Sequence, residues 1–177
     1  MKTKWSLAYF IIGLLLLAGC AAKFKEFRSK TGNFSVKAPA LLEEQPQTVD
    51  MSSGKTEAHT YLAESDGILY VAAYSVFRDE IINQGKPEEF LNNARDSILA
   101  SLNGKLVLET RKSLGDYPGR ELVVDIKMVD GTNGVMKARI YLVKNRLYQL
   151  MVMADTEQAS AGTITQFLDS FRLIGSP

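Results

Sequence analysis

Residues 121–142, which read ELVVDIKMVDGTNGVMKARIYL, give the strongest indication of the fold. Apolar and polar residues alternate on both sides of the run DGTNG, which is rich in turn-forming residues. A period of two is typical of a half-buried strand, and a Gly-rich and Asn-rich run between two such segments predicts a hairpin. A register with Val129 opposite Val135 places Asp125 opposite Arg139, a favourable cross-strand pair. The stretch therefore predicts two antiparallel strands.

The segments on either side extend this hairpin into a sheet with helices. Residues 68–77 and 147–154 are apolar on both strand faces, which predicts a sheet that is covered on both sides. A helix is predicted to begin at Pro87 and to end at Asn103-Gly104. A last helix, capped at Asp155 or Thr156, is predicted near the carboxyl end. The chain therefore predicts an α+β fold, a mainly antiparallel sheet of about six to eight strands flanked by helices on both faces.

Three short segments agree with a known family. They are GNFSV at 32–36, YPGRE at 117–121 and FLDSF at 167–171. Together with the order strands, helix, meander, helix, they resemble the PsbP-like or DcrB-like fold. That resemblance implies an α/β/α sandwich. It implies no activity, because members of the family do not share one and a fold does not supply function.

The first twenty residues form a targeting segment. Lys2 and Lys4 precede an apolar run at 7–17, a pattern typical of a secretory signal and short for a membrane span. The run LAGC at 17–20 resembles the lipobox of bacterial lipoproteins. The resemblance implies cleavage after residue 19 and an N-palmitoyl, S-diacylglycerol cysteine at Cys20. The alternative is an uncleaved apolar anchor in which the cysteine has no role.

The rest of the chain divides into a spacer and one domain. Residues 20–32 are interpreted as the lipidated end and a flexible basic tether, and residues 33–177 as a single α+β domain. The basic residues of the tether either attract anionic lipid headgroups or keep a linker soluble. Ala21 follows the cysteine in place of Asp, so the resemblance favours an outer membrane where one exists. The expected location is the cell membrane or outer membrane, with the domain on the exported side.

Few residues suggest chemistry. The chain has 21 Lys and Arg against 20 Asp and Glu, which does not favour nucleic acid as a partner. His59 is the only histidine and Cys20 the only cysteine, so we predict no cofactor, no metal site and no disulfide. We expect His59 to be a strand residue on the surface, beside Glu57 and Tyr61. Arg120 and Glu121, presented by a Pro-Gly turn, are the best exposed polar candidates for a binding surface. The alternative is a local ion pair between them that braces the turn.

The function predicted from these observations is non-enzymatic. We expect a membrane-anchored envelope lipoprotein that binds or stabilises another envelope component, with the membrane and an envelope protein as partners. The alternative is a small-ligand-binding lipoprotein with a pocket between sheet and helix, lined by Tyr and Met. We expect Tyr61, Tyr70 and Tyr74 to share one face of the sheet, where they form either part of the core or an aromatic binding platform. A hydrolase built on His59 is a third hypothesis.

Overall fold

The computed structural model describes residues 23–47 and 54–175. The predicted signal peptide, the lipobox and Cys20 lie outside the described residues. Among the helices of the described residues, none has the length and apolar character needed to cross a membrane.

The described residues form two antiparallel sheets and three α-helices. The strands, in chain order, are β1 Lys25–Ser29, β2 Phe34–Ala38, β3 Glu43–Gln45, β4 Lys55–Ser65, β5 Ile68–Phe77, β6 Lys105–Arg111, β7 Gly119–Lys127, β8 Asn133–Val143, β9 Arg146–Asp155 and β10 Arg172–Leu173. The helices are α1 Asp79–Gln84, α2 Pro87–Leu102 and α3 Gly162–Asp169. The main sheet has the order β3-β4-β5-β9-β8-β7-β6, and the small sheet has the order β1-β2-β10.

Each face of the main sheet packs against its own layer. On the first face, Tyr70, Tyr74 and Tyr148 are buried in a core with residues of the small sheet and α3. On the second face, a separate core forms where α2 covers β7 and β8. Two-sided cover is the reason why β5 and β9 are apolar on both faces. The predicted α+β sandwich is confirmed.

Helix α2 follows its sequence signals closely. Pro87 occupies the first helical position, and Leu91, Ala94 and Ile98 form the buried stripe. Asn103 adopts a left-handed conformation with φ of 46° and ends the helix. The backbone N–H of Gly104 then donates to the carbonyl of Leu99 at 2.9 Å, satisfying one of the last free carbonyls.

The predicted hairpin forms, with its faces as expected but with a shifted register. Val124 lies opposite Met136, and Arg139 lies opposite Glu121 in place of Asp125. The reason is the position of the turn. The N–H of Met128 donates to the carbonyl of Thr132, so the strand β8 already begins at Asn133. The register therefore differs from the expected one by four residues, an even number that preserves the side-chain alternation.

The largest correction concerns the predicted flexible tether at 20–32. Residues 25–29 form strand β1, which pairs along its length with β2. The charged residues Glu26 and Arg28 alternate with Phe27, whose ring lies 4.6 Å from that of Tyr61 in the main sheet. The folded domain therefore begins before residue 33.

Three further elements differ from expectation. The sequence pattern predicts neither the short strand β3 at Glu43–Gln45 nor helix α1 at Asp79–Gln84. Asp155 caps no α-helix by its side chain. It precedes a single 3₁₀ turn at Thr156–Gln158, and α3 begins at Gly162. These are short elements, whose ends are held by tertiary contacts more than by local propensity.

Candidate functional site

Arg120 is buried, contrary to the exposed position expected for it. It is 7% exposed and lies on the second face of the main sheet. Its guanidinium group donates to Glu109 at 3.0 Å and also to Glu88, so it joins α2 to strands β6 and β7. The hydrogen bond from Arg120 holds the pKa of Glu88 below its ordinary value. The turn before β7 is formed at Gly115, which has φ of +60°, and not at the Pro-Gly pair.

Glu121 points to the opposite face of β7 and has a different partner. It accepts a hydrogen bond from Arg139 at 2.5 Å, and Arg139 also contacts Asp169 at 2.6 Å. Arg139 is 8% exposed. The two candidate residues therefore belong to separate ion-pair clusters that brace the sheet against α2 and α3. They form neither a joint binding surface nor the local ion pair that was the alternative.

His59 lies between two carboxylates. Its Nδ1 contacts Glu44, and its Nε2 lies 2.9 Å from Oε1 of Glu57. The ring stacks on Tyr74, with centroids 4.8 Å apart. Both ring nitrogens therefore face carboxylates of the domain itself. The described residues contain no cluster of three potential metal ligands.

The tyrosine-rich face is core and not a binding platform. Tyr61, Tyr70 and Tyr74 are each at most 6% exposed and pack beneath the small sheet. Burial raises the pKa of Tyr74. The expected pocket lined by Tyr and Met is therefore filled at its tyrosines by residues such as Phe34.

The hydroxyl groups of these tyrosines hold the turn between β1 and β2. The hydroxyl oxygen of Tyr74 lies 3.1 Å from Oγ1 of Thr31, and Tyr148 donates to the carbonyl of Gly32 at 2.7 Å. Arg146 donates to the carbonyl of Thr31 at 2.7 Å. We call these contacts the hairpin clamp. They fix the first folded element of the chain to the main sheet.

The second face carries a pocket between sheet and helices, as the alternative hypothesis expected, but its lining contains neither the Tyr nor the Met side chains predicted for it. A pocket of about 310 Å³ lies between the helices and the sheet, lined in part by Phe77, Phe90, Ile81 and Lys55. Its walls come from α1, α2 and three strands, so no local pattern announces it. A polar pocket of about 460 Å³ adjoins it through Lys55 and Gln149.

The free edge of the main sheet exposes two large apolar side chains. Val107 and Leu108 of β6 are 56% and 53% exposed. The pairing of β6 with β7 shifts between Leu106 and Leu108, so a β-bulge lies at Val107. A bulge interrupts the alternation of side chains. We call Val107 and Leu108 the β6 edge patch. The adjacent apolar residues in an otherwise alternating strand were the signal that could have identified it.

No protein-family model matches the chain, and no curated protein matches its sequence. Among solved structures, cyanobacterial PsbP (CyanoP) from Synechocystis sp. PCC 6803 superposes with a TM-score of 0.56 at 8% identity, over 88% of this chain and 95% of that one. PA94 from Pseudomonas aeruginosa, a putative regulator of unknown function, gives 0.44 at 10% identity, over 87% and 98%. LpqN, involved in cell envelope biogenesis of Mycobacterium tuberculosis, gives 0.45 at 10% identity, over 86% and 91%. The match to CyanoP confirms the PsbP-like fold.

Proposed function

We propose that this protein is a lipid-anchored component of the bacterial cell envelope, whose PsbP-like domain binds another envelope component without catalysing a reaction. The observation that carries the proposal is the LAGC lipobox at 17–20, placed directly after a basic and apolar signal. Lipidation gives the single cysteine of the chain a chemical role. Two or three acyl chains hold a protein firmly at a membrane, whereas one chain holds it weakly.

The non-enzymatic part of the proposal is supported by the contacts of the candidate acid–base groups. Both ring nitrogens of His59 are engaged by carboxylates, and Glu88 and Glu109 are engaged by Arg120. Groups held in ion pairs of this kind stabilise the contact between elements. Their geometry favours a structural role over proton transfer to a substrate.

We assign the contact with the envelope component to the β6 edge patch. Its two apolar side chains lie at the end of the main sheet, away from β3 and β4 in the strand order. Lys105 and Arg111 stand at the two ends of the strand. An exposed apolar centre with a charged rim is the usual composition of a protein contact. Because of the bulge, the partner is expected to pack on the side chains and not only to add a strand.

The anchor is tested by metabolic labelling with radioactive palmitate. The wild-type protein should incorporate the label, and Cys20→Ala should not. Equal incorporation by both proteins would overturn the anchoring part of the proposal, since the label would then be attached elsewhere or nonspecifically.

The partner contact is tested by placing a photocrosslinking amino acid at position 108 in intact cells. Position 41 is the matched control, because Leu41 is 65% exposed and lies beside β3 at the other edge of the main sheet. A crosslinked product of defined mass is expected from position 108 and not from position 41. Products of the same mass at both positions, or none at 108, would contradict the assignment. A further substitution, Leu108→Lys, should reduce crosslinking from position 107.

A further inference from the structure

The small sheet presents a basic surface on the side away from the main sheet. Phe34, Val36 and Ala38 of β2 point into the core, so the alternate positions of this sheet point outward. Arg28 of β1 and Arg172 of β10 each lie opposite Ser35 of β2. These two arginines therefore flank the middle strand on its outer side.

More basic residues belong to the same surface. Lys37 follows two residues after Ser35 on the same side of β2, and Lys30 lies in the turn that follows β1; both are exposed. Neither lysine makes an ion pair among the described residues. We call these four residues the basic face; they are Arg28, Lys30, Lys37 and Arg172.

The nearby acidic residues are already paired. Glu26 contacts Arg28 at 3.0 Å, and Asp169 contacts Arg139 at 2.6 Å. The charge of the chain is also divided unevenly. Residues 23–38 contain five basic residues and one acidic residue, whereas residues 39–177 contain fourteen basic and nineteen acidic residues. The positive charge of the domain is thus concentrated in its first folded hairpin.

The distance between this hairpin and the predicted anchor is short. Strand β1 begins at Lys25, so five residues, 20–24, separate the lipidated end from the sheet. Even fully extended, five residues span only about 17 Å. Electrostatic attraction in physiological salt decays over about 8 Å. A link this short therefore allows the hairpin to approach the membrane surface to within that distance.

We propose that the basic face lies against an anionic lipid surface and sets the orientation of the domain on the membrane, an inference that rests on the proposed lipid anchor. The hairpin clamp makes this possible, because the carbonyls of Thr31 and Gly32 accept hydrogen bonds from the main sheet. The orientation of the hairpin on the membrane is therefore also the orientation of the domain. Basic residues near an anionic leaflet attract it additively. The opposite layer, formed by α2, is then directed away from the membrane and toward soluble or neighbouring envelope components.

The test uses the full-length lipidated protein, purified from membranes and reconstituted into vesicles of phosphatidylcholine with or without phosphatidylglycerol. A fluorophore is attached to Glu26→Cys on β1 or to Ala100→Cys on α2, both at exposed positions. Lipids with a nitroxide on the headgroup serve as the quencher. In vesicles that contain phosphatidylglycerol, quenching at position 26 should be at least about three-fold stronger than at position 100, and high salt should remove the difference.

Charge reversal provides the matched comparison. Arg28→Glu with Lys37→Glu should abolish the difference between the two positions. Arg78→Glu with Lys86→Glu reverses the same number of charges at exposed positions next to α1 and α2 and should leave the difference unchanged. Equal quenching at both positions in anionic vesicles would overturn the inference, as would an equal effect of the two double variants.

A separate measurement, the reactivity of the wild-type protein with a thiol reagent, tests whether the proposed lipid anchor is present. Cys20 is the only native cysteine, so a lipidated wild-type protein should not react with a thiol reagent. A reactive wild-type protein would overturn the anchoring proposal. An unreactive wild-type protein with equal quenching at the two positions would overturn only the orientation proposed for the domain.

Discussion

Replacing Phe34 with Ala tests whether the amino-terminal hairpin belongs to the core. Phe34 is fully buried, with 0% of its surface exposed. Its ring lies between 5.6 and 6.2 Å, centroid to centroid, from five other aromatic rings; they are Phe27, Tyr61, Tyr74, Tyr148 and Phe171. These rings come from the small sheet, the main sheet and the segment between α3 and β10, which contains Phe171. The substitution therefore removes the side chain on which the first-face layer converges.

The expected loss is large on the scale of the total stability. Truncating a buried Phe to Ala costs about 3–5 kcal/mol, because the transfer free energy is lost and a cavity remains. Aromatic rings surround the cavity that the substitution would leave, which limits how far the neighbouring side chains can move to fill it. Native domains have only about 5–15 kcal/mol of stability in total. For a chain of this size each kcal/mol corresponds to about 2–4 °C, so the midpoint of thermal unfolding should fall by roughly 6–20 °C.

The measurement is urea unfolding of the purified wild-type and Phe34→Ala proteins, followed by circular dichroism. Leu41→Ala is the control, since a side chain that is 65% exposed should contribute at most about 0.5 kcal/mol. A loss below about 1 kcal/mol for Phe34→Ala would refute the reasoning. It would mean that the small sheet is only loosely attached to the main sheet, as a flexible amino-terminal segment would be.

Three further predictions concern single contacts. In Gly119→Ala the added Cβ would lie 2.4 Å from a backbone carbonyl oxygen, so unfolding in urea should show a loss of about 2–3 kcal/mol; an unchanged midpoint would contradict this. Arg139→Ala leaves two carboxylates without their partner and should cost about 2–3 kcal/mol, less than a fully buried pair because Asp169 is 57% exposed. Because Arg120 lowers the pKa of Glu88, this pair stabilises the fold above the ordinary carboxyl pKa and its contribution is lost as the pH falls through the lowered value. Glu88→Gln should therefore be less stable than the wild type at neutral pH, and unfolding at a series of pH values should show the two converging in acid; a constant difference would be the contrary result.

The sheet could be predicted from local patterns because its strands bury apolar residues at regular intervals. Residues 68–77 are apolar on both faces, and the structure covers both faces of β5. The hairpin at 121–142 has a period of two, which determines the face of each residue. The pattern does not determine the register, since a shift by any even number of residues keeps every side chain on its face. Only the turn between Met128 and Thr132 decides that shift.

Strand β1 could not be predicted because its stability comes from distant residues. Its five residues, KEFRS, contain one large apolar side chain, Phe27. That ring packs against Tyr61, which is more than thirty positions away in the sequence. Without that contact, a segment with Lys, Glu and Arg has the composition of a linker.

The prediction that the candidate site residues are exposed was wrong for the same reason. An arginine after a Pro-Gly pair is normally exposed. Arg120 is buried because Glu109 and Glu88, 11 and 32 residues earlier in the sequence, converge on its guanidinium group. Carboxylate partners at those separations leave no local pattern. The contacts of His59 with Glu44 are a similar case, although its neighbour Glu57 follows from strand parity.

The small sheet also ties the two ends of the domain together, and this has a consequence for the order of folding. Strand β2 is flanked by β1 on one side and by β10 on the other. The N–H of Lys37 donates to Oγ of Ser170, a residue 133 positions later. The layer over the first face therefore cannot close until nearly the whole chain is available. An incomplete chain would expose Phe34 and Val36 to solvent, so the polypeptide would be prone to aggregation until its last residues had been synthesised.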